Sequence, residues 1–196
     1  LWHTDDNLND GIATDSSGNG NHGICTFGST CPNYDNMIRR LGSASYDFDG
    51  VNDILNAGNF NIAGGQLTIA GWIRADAFSF LTKLIAKSTG NNPQNQFWLV
   101  GTVGTSPTRL VFALKTGSNP NRGTTTLIAS SGDLSPGVWT HFAAVYTGSQ
   151  MRLYKNGVLV GSTVKTGTIT TRPIPPVAVG DGPQGGSLFN GLIDEL

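Results

Sequence analysis

The stretch Met151-Arg152-Leu153-Tyr154-Lys155-Asn156-Gly157-Val158-Leu159-Val160 decides the fold class. Asn-Gly supplies the two positive φ angles of a type I′ turn, so the runs on either side pair as a hairpin. That register sets Tyr154 opposite Leu159 and Leu153 opposite Val160. Both faces of the hairpin are then apolar, which puts it within a sandwich of sheets rather than at an exposed edge. The period of two continues outward along the chain. Short runs rich in Val, Ile, Thr and aromatics alternate with clusters of Gly, Pro, Asn and Ser. Strands are expected at 44–48, 53–57, 66–75, 81–87, 97–102, 109–115, 124–130, 138–146, 151–155, 158–163, 177–180 and 187–196. About twelve strands joined mostly by short turns predict an all-β chain of two stacked antiparallel sheets. The only helix candidate, 35–41, is short and uncapped. With neither an internal repeat nor a linker, residues 1–196 read as one domain, a normal size for a sandwich.

Composition removes several function classes. Charged residues are 13% of the chain and the net charge is −1. No basic excess is available to neutralise a phosphate backbone, so nucleic acid is not an expected partner. No apolar run approaches the roughly 18 residues of a membrane span, so membrane insertion is not expected either. No signal peptide is visible, so a secreted protein would carry its signal outside this chain. The acidic residues are twelve Asp and one Glu, Glu195, which excludes any mechanism needing two glutamates. The run Gly18-Asn19-Gly20-Asn21-His22-Gly23 spells GxGxxG, but it lacks the preceding strand and following helix of a dinucleotide site. GxSxG and P-loop patterns are absent, and His3, His22 and His141 are scattered. Asp47 and Asp49 share a strand face at a spacing that a retaining glycosidase could use. Their plainer reading is a strand ending in an Asp-Gly turn.

The two cysteines, Cys25 and Cys31, lie in CTFGSTC. Neither a zinc set nor a CxxC motif is present. A short-loop disulfide is the leading reading, and two free thiols in a reducing compartment are the alternative. The bond would contribute on the order of 2 kcal/mol and would imply an oxidising location. Two polar loops, 90–96 and 116–123, offer room for function. Exposed aromatic rings can stack on the apolar faces of sugars. On that ground Gln96, Trp98, Arg109 and Arg122 are the ligand-binding candidates.

Six segments, in order, resemble one family. They are 15–23 (DSSGNGNHG), 42–53 (GSASYDFDGVND), 67–73 (LTIAGWI), 138–146 (VWTHFAAVY), 153–159 (LYKNGVL) and 189–195 (FNGLIDE). Together they look like laminin G-like jelly rolls, relatives of concanavalin A-like lectins and pentraxins, and the likeness runs from about residue 10 to the end. The inserted CTFGSTCP resembles a variant in large bacterial surface proteins of the family. The resemblance implies a two-sheet jelly roll, found mainly in noncatalytic modules of secreted or surface proteins that bind glycans or proteins, often with calcium. It also implies that Trp72 and Trp139 are core residues. Family members continue past Ile-Asp-Glu through a longer last strand, so the chain, stopping at Leu196, reads as a piece of a longer protein with other domains.

Calcium takes six to eight oxygen ligands. The Gly-rich turn DSSGNGNHG offers Asp15, Asn19 and Asn21, with carbonyls such as that of Gly23. The resemblance adds Asp194, on a strand similar to a ligand-bearing terminal strand of laminarinase-like relatives. Asp49, Asn52 and Asp53 form a second possible set. The expected protein is therefore a noncatalytic, extracellular recognition or adhesion module, carbohydrate-binding and calcium-stabilised. The alternatives are a protein-binding adhesion module and a polysaccharide hydrolase or lyase.

Overall fold

Alternation becomes structure most plainly at residues 67–77. Leu67, Ile69, Ile73 and Ala75 are buried, while Thr68, Asp76 and the half-buried Trp72 and Arg74 face the other way. Successive side chains of a strand point to opposite faces, so this pattern makes a sheet with one apolar side. The computed structural model describes every residue except 27, 91, 93–94, 118–122 and 172–174. Its strands, in chain order, are β1 (Ile12–Ala13), β2 (Gly23–Ile24), β3 (Asn33–Asp35), β4 (Ser45–Asp49), β5 (Leu55–Asn56), β6 (Leu67–Ala77), β7 (Leu81–Ser88) and β8 (Gln96–Val103), followed by β9 (Arg109–Thr116), β10 (Gly123–Ile128), β11 (Thr140–Tyr146), β12 (Gln150–Lys155), β13 (Val158–Val164), β14 (Val177–Val179) and β15 (Asn190–Asp194). They form an eight-stranded sheet, β1-β2-β5-β14-β7-β8-β9-β10, and a seven-stranded sheet, β13-β12-β11-β6-β15-β4-β3.

The sheets stack through their apolar faces, as the all-β expectation required. Phe48, Ile73, Trp98, Phe112, Phe142 and Phe189 lie in one buried cluster that runs from Trp2 to Leu196. Each ring brings a large area out of water, at about 25 cal/mol per Å² of apolar surface. Cys25 and Cys31 are bonded, with Cα atoms 5.0 Å apart.

The structure departs from the sequence expectation in three places. The strands β1, β2 and β3 are additional, each only two or three residues long. Residues 35–41 form no helix. Instead Asp35 Oδ1 accepts the amides of Met37 and Ile38, a local turn that competes with helix.

The third departure concerns the hairpin. Its turn has the expected positive φ at Asn156 (49°) and Gly157 (80°), and Tyr154 faces Leu159. Beyond that pair a bulge shifts the register, so Leu153 faces Gly161 instead of Val160. A Cβ on Gly161 would lie only 3.2 Å from Ala129 Cα, so glycine suits the close approach of the 127–130 segment. β13 is also an edge strand, not an interior one, and Val158, Leu159 and Val164 are exposed.

Candidate functional site

The outward face of the seven-stranded sheet carries a row of side chains set by strand register. Asp194 of β15 lies opposite Trp72 of β6, and Trp72 lies opposite His141 of β11. Asn156 continues the row from the hairpin turn. It donates its amide to the His141 carbonyl and accepts the His141 amide at Oδ1, each at 2.8 Å. The segment before β4 crosses over this row. Its tether is Asp194, whose Oδ2 accepts the amides of Arg40 (2.7 Å) and Leu41 (2.9 Å), while Oδ1 accepts the Thr4 hydroxyl (3.1 Å). Held there, Arg40 lays its guanidinium over the Trp72 ring, 4.4 Å from the centroid. The His141 ring meets Trp72 edge-on at 5.2 Å.

Trp139 stands two residues before His141, on the same side. Together Arg40, Trp72, Trp139, His141 and Asn156 line a shallow depression of about 660 Å³. Trp72 and Trp139 are half-buried, which corrects the core placement that the resemblance implied. The physical reason is parity. Trp72 alternates with Gly71 and Ile73, which are buried, and so must face outward with Thr68 and Arg74. Trp139 and His141 alternate with Thr140 and Phe142 in the same way. Sequence reasoning missed this surface, and the odd-even pattern of β6 and β11 could have found it. Partial burial lowers the His141 pKa and so favours the neutral ring.

The residues expected to bind calcium fall into separate units. Asp15, Asn19 and Asn21 line a second cleft of about 700 Å³ together with Phe60 and Trp98. Asp15 is buried, and its oxygens accept the amides of Ser17 (2.9 Å) and Asn21 (3.0 Å). Burial acts to raise its pKa, but these donors outweigh it and hold the carboxyl well below its ordinary range. Gly23 pairs with Ala13 in the sheet. Asp194 is elsewhere, fully buried, with Thr4, Arg40 and Leu41 as its donors. As placed, this set does not fit one calcium ion, and calcium enters no step below.

The expected ligand contacts do not converge either. Trp98 is 1% exposed, so its ring belongs to the core and offers no stacking face on the surface. Gln96 is buried too, donating Nε2 to the Gly90 carbonyl. Arg109 pairs with Asp133 at the opposite end of the β8–β9 pair. Arg122 lies outside the described residues.

Asp47 and Asp49 close β4, and Asp49 caps the following turn by accepting the amides of Val51 and Asn52. Asp53 is the unusual carboxyl. Burial, then the charges of Asp49 and Asp47, push it up to about 6, against the pull of the Asp49 amide that it accepts. Between about pH 4 and pH 6 the folded chain therefore holds a proton that the unfolded chain has lost. That contribution is fully present below the unfolded pKa and disappears as pH rises through 6. Asp53→Asn keeps an acceptor and cannot ionise. Its stability relative to the parent should thus improve by on the order of 2 kcal/mol between pH 4 and pH 7.5. Urea melts of both proteins at the two pH values read this directly. A constant difference would mean that Asp53 titrates normally.

Comparison with known proteins agrees with this architecture. A family model described as the concanavalin A-like lectin/glucanases superfamily matches residues 49–196. No curated protein sequence matches the chain. Similar solved structures include domain 4 of AbnA, an extracellular GH43 arabinanase of Geobacillus stearothermophilus (TM-score 0.66, 18% identity, 96% of this chain and 86% of that one). A SAP-like pentraxin of Limulus polyphemus is similar at TM-score 0.54, with 17% identity over 76% of this chain and 72% of its own. Domains LG4-5 of the mouse laminin alpha1 chain are similar at TM-score 0.50, with 14% identity over 85% of this chain and 38% of theirs. With the family match covering most of its length and both sheets in place, the chain belongs to the laminin G-like members of the concanavalin A-like lectin/glucanase superfamily.

Proposed function

We propose that residues 1–196 form a noncatalytic, extracellular glycan-recognition module that binds sugar on the Trp72–Trp139 surface. The observation that carries this reading is the pair of half-buried indoles flanked by polar donors in one shallow depression. Indole rings cover the apolar faces of sugar rings, and the flanking groups fix hydroxyl orientation. The fold relative from the arabinanase was solved in complex with arabinotriose, which makes arabino-oligosaccharides a natural first probe. The Cys25–Cys31 bond supports an oxidising location. Among the described residues no helix is long and apolar enough to cross a membrane.

Titration calorimetry with arabinotriose, galactotriose and trigalacturonate tests the reading. Trp139→Ala should weaken whichever sugar binds by about five- to thirtyfold, because one stacked ring is worth roughly 1–2 kcal/mol. Its melting temperature should change little, since the ring is half solvated. Unchanged affinity in Trp139→Ala and Trp72→Ala would move the binding surface elsewhere. New oligosaccharides in mass spectra of the incubated sugars would overturn the noncatalytic assignment.

A further inference from the structure

The polar groups around the two indoles have one sign. Arg40 lies over Trp72 with its guanidinium making no hydrogen bond or ion pair among the described residues. Asn156 spends its side-chain oxygen on the His141 amide, which leaves its NH₂ group as the part free to face a ligand. His141 can present one ring N–H. The acids of the neighbouring β15 end, closest by register, are committed elsewhere. Asp194 lies beneath, satisfied by Thr4, Arg40 and Leu41, and Glu195 is paired with His3 at 2.8 Å. The depression is thus rich in donors, carries one unneutralised cation, and lacks a carboxylate among its lining residues.

We propose that this surface selects a carboxylated sugar, a uronic acid unit of an acidic polysaccharide, with Arg40 as the residue that reads the carboxylate. This rests on the glycan-binding reading above. A planar guanidinium matches a carboxylate with two parallel hydrogen bonds, and the fork keeps little freedom to lose when it is already stacked on a ring. The pyranose face lies against indole, and the donors of Asn156 and His141 reach its hydroxyls. A neutral sugar can use the rings but leaves the Arg40 charge unmatched.

Trigalacturonate and its methyl ester separate the two ideas, because they share every ring and differ only in the carboxylates. The acid should bind at least tenfold more tightly than the ester at 50 mM salt. That ratio should shrink as salt rises, since the pair is solvent-exposed. Arg40→Gln should bring acid and ester within twofold of each other, whereas Arg40→Lys should keep part of the preference. The side chain is exposed and its tether to Asp194 uses the backbone amide, so the variants should fold, which a thermal melt verifies. Equal binding of acid and ester by the parent protein overturns the selectivity and leaves the glycan-binding reading standing. Binding of arabinotriose or galactotriose without trigalacturonate does the same. Binding of none of the sugars overturns both.

Discussion

Asp194→Ala is expected to destabilise the protein by about 3–5 kcal/mol, equally in calcium chloride and in chelator. The carboxylate is fully buried and accepts three hydrogen bonds, from the Arg40 and Leu41 amides and the Thr4 hydroxyl. A charge-assisted bond is worth more than a neutral one, and its deletion leaves buried donors without an acceptor. Asp194→Asn should fall between, because its one oxygen can still accept both backbone amides while the charge is lost and its NH₂ group faces the Thr4 hydroxyl. Urea melts of the three proteins, each with calcium and with EDTA, give the comparison. A loss seen only in calcium would make Asp194 a metal ligand after all, and a loss under about 1 kcal/mol would mean that the segment is held by other contacts. If the proposed surface binds sugar, the same change should also weaken that binding below the melting temperature. Without its anchor the backbone at Arg40 no longer fixes the guanidinium over Trp72. One buried carboxylate therefore links stability to the composition of the surface.

Much of this was legible because local rules and tertiary structure agree. The expected strands at 81–87, 97–102 and 109–115 lie within β7, β8 and β9, where apolar runs bounded by turn residues leave few alternatives. The type I′ turn at Asn156-Gly157 was legible for the same reason. The register beyond it was not, since the bulge answers to Ala129, a contact remote in sequence. The strands β1, β2 and β3 are too short to leave any periodic trace. At the site, the error over Trp72 and Trp139 came from treating aromatics in buried strands as core when their parity placed them on the outer face. Arg40 had no sequence signal, because its position depends on a tether to Asp194, 154 residues away. Asp15 shows the opposite limit. Its partners Ser17 and Asn21 are close neighbours, so the Asn-Gly run was open to a reading as a self-capping turn as well as an ion site.

Gly191→Ala is expected to cost more than about 4 kcal/mol or to prevent folding, the largest effect of any single methyl group considered. Gly191 has φ +131°, outside the regions open to other L-residues, and sits at a bulge where β15 meets β6. A Cβ there would lie 2.4 Å from the Arg74 carbonyl oxygen, 2.7 Å from Ala75 Cα and 2.8 Å from the Asp76 amide nitrogen. All three are backbone atoms of the neighbouring strand, so no side chain can rotate away. β15 lies between β6 and β4, and a shift there would disturb both ladders. Gly157→Ala is the control. It also has positive φ, but an added Cβ would have open space around it, so its cost should be only the conformational one, about 1–2 kcal/mol. The difference between the two variants in urea melts isolates the steric part. Equal losses would show that β15 can retreat from β6. The expected inequality would instead show why glycine stands in Phe189-Asn190-Gly191-Leu192-Ile193-Asp194. Close approach at Gly191 sets the register that buries Leu192 and Ile193 and delivers Asp194 beneath Arg40.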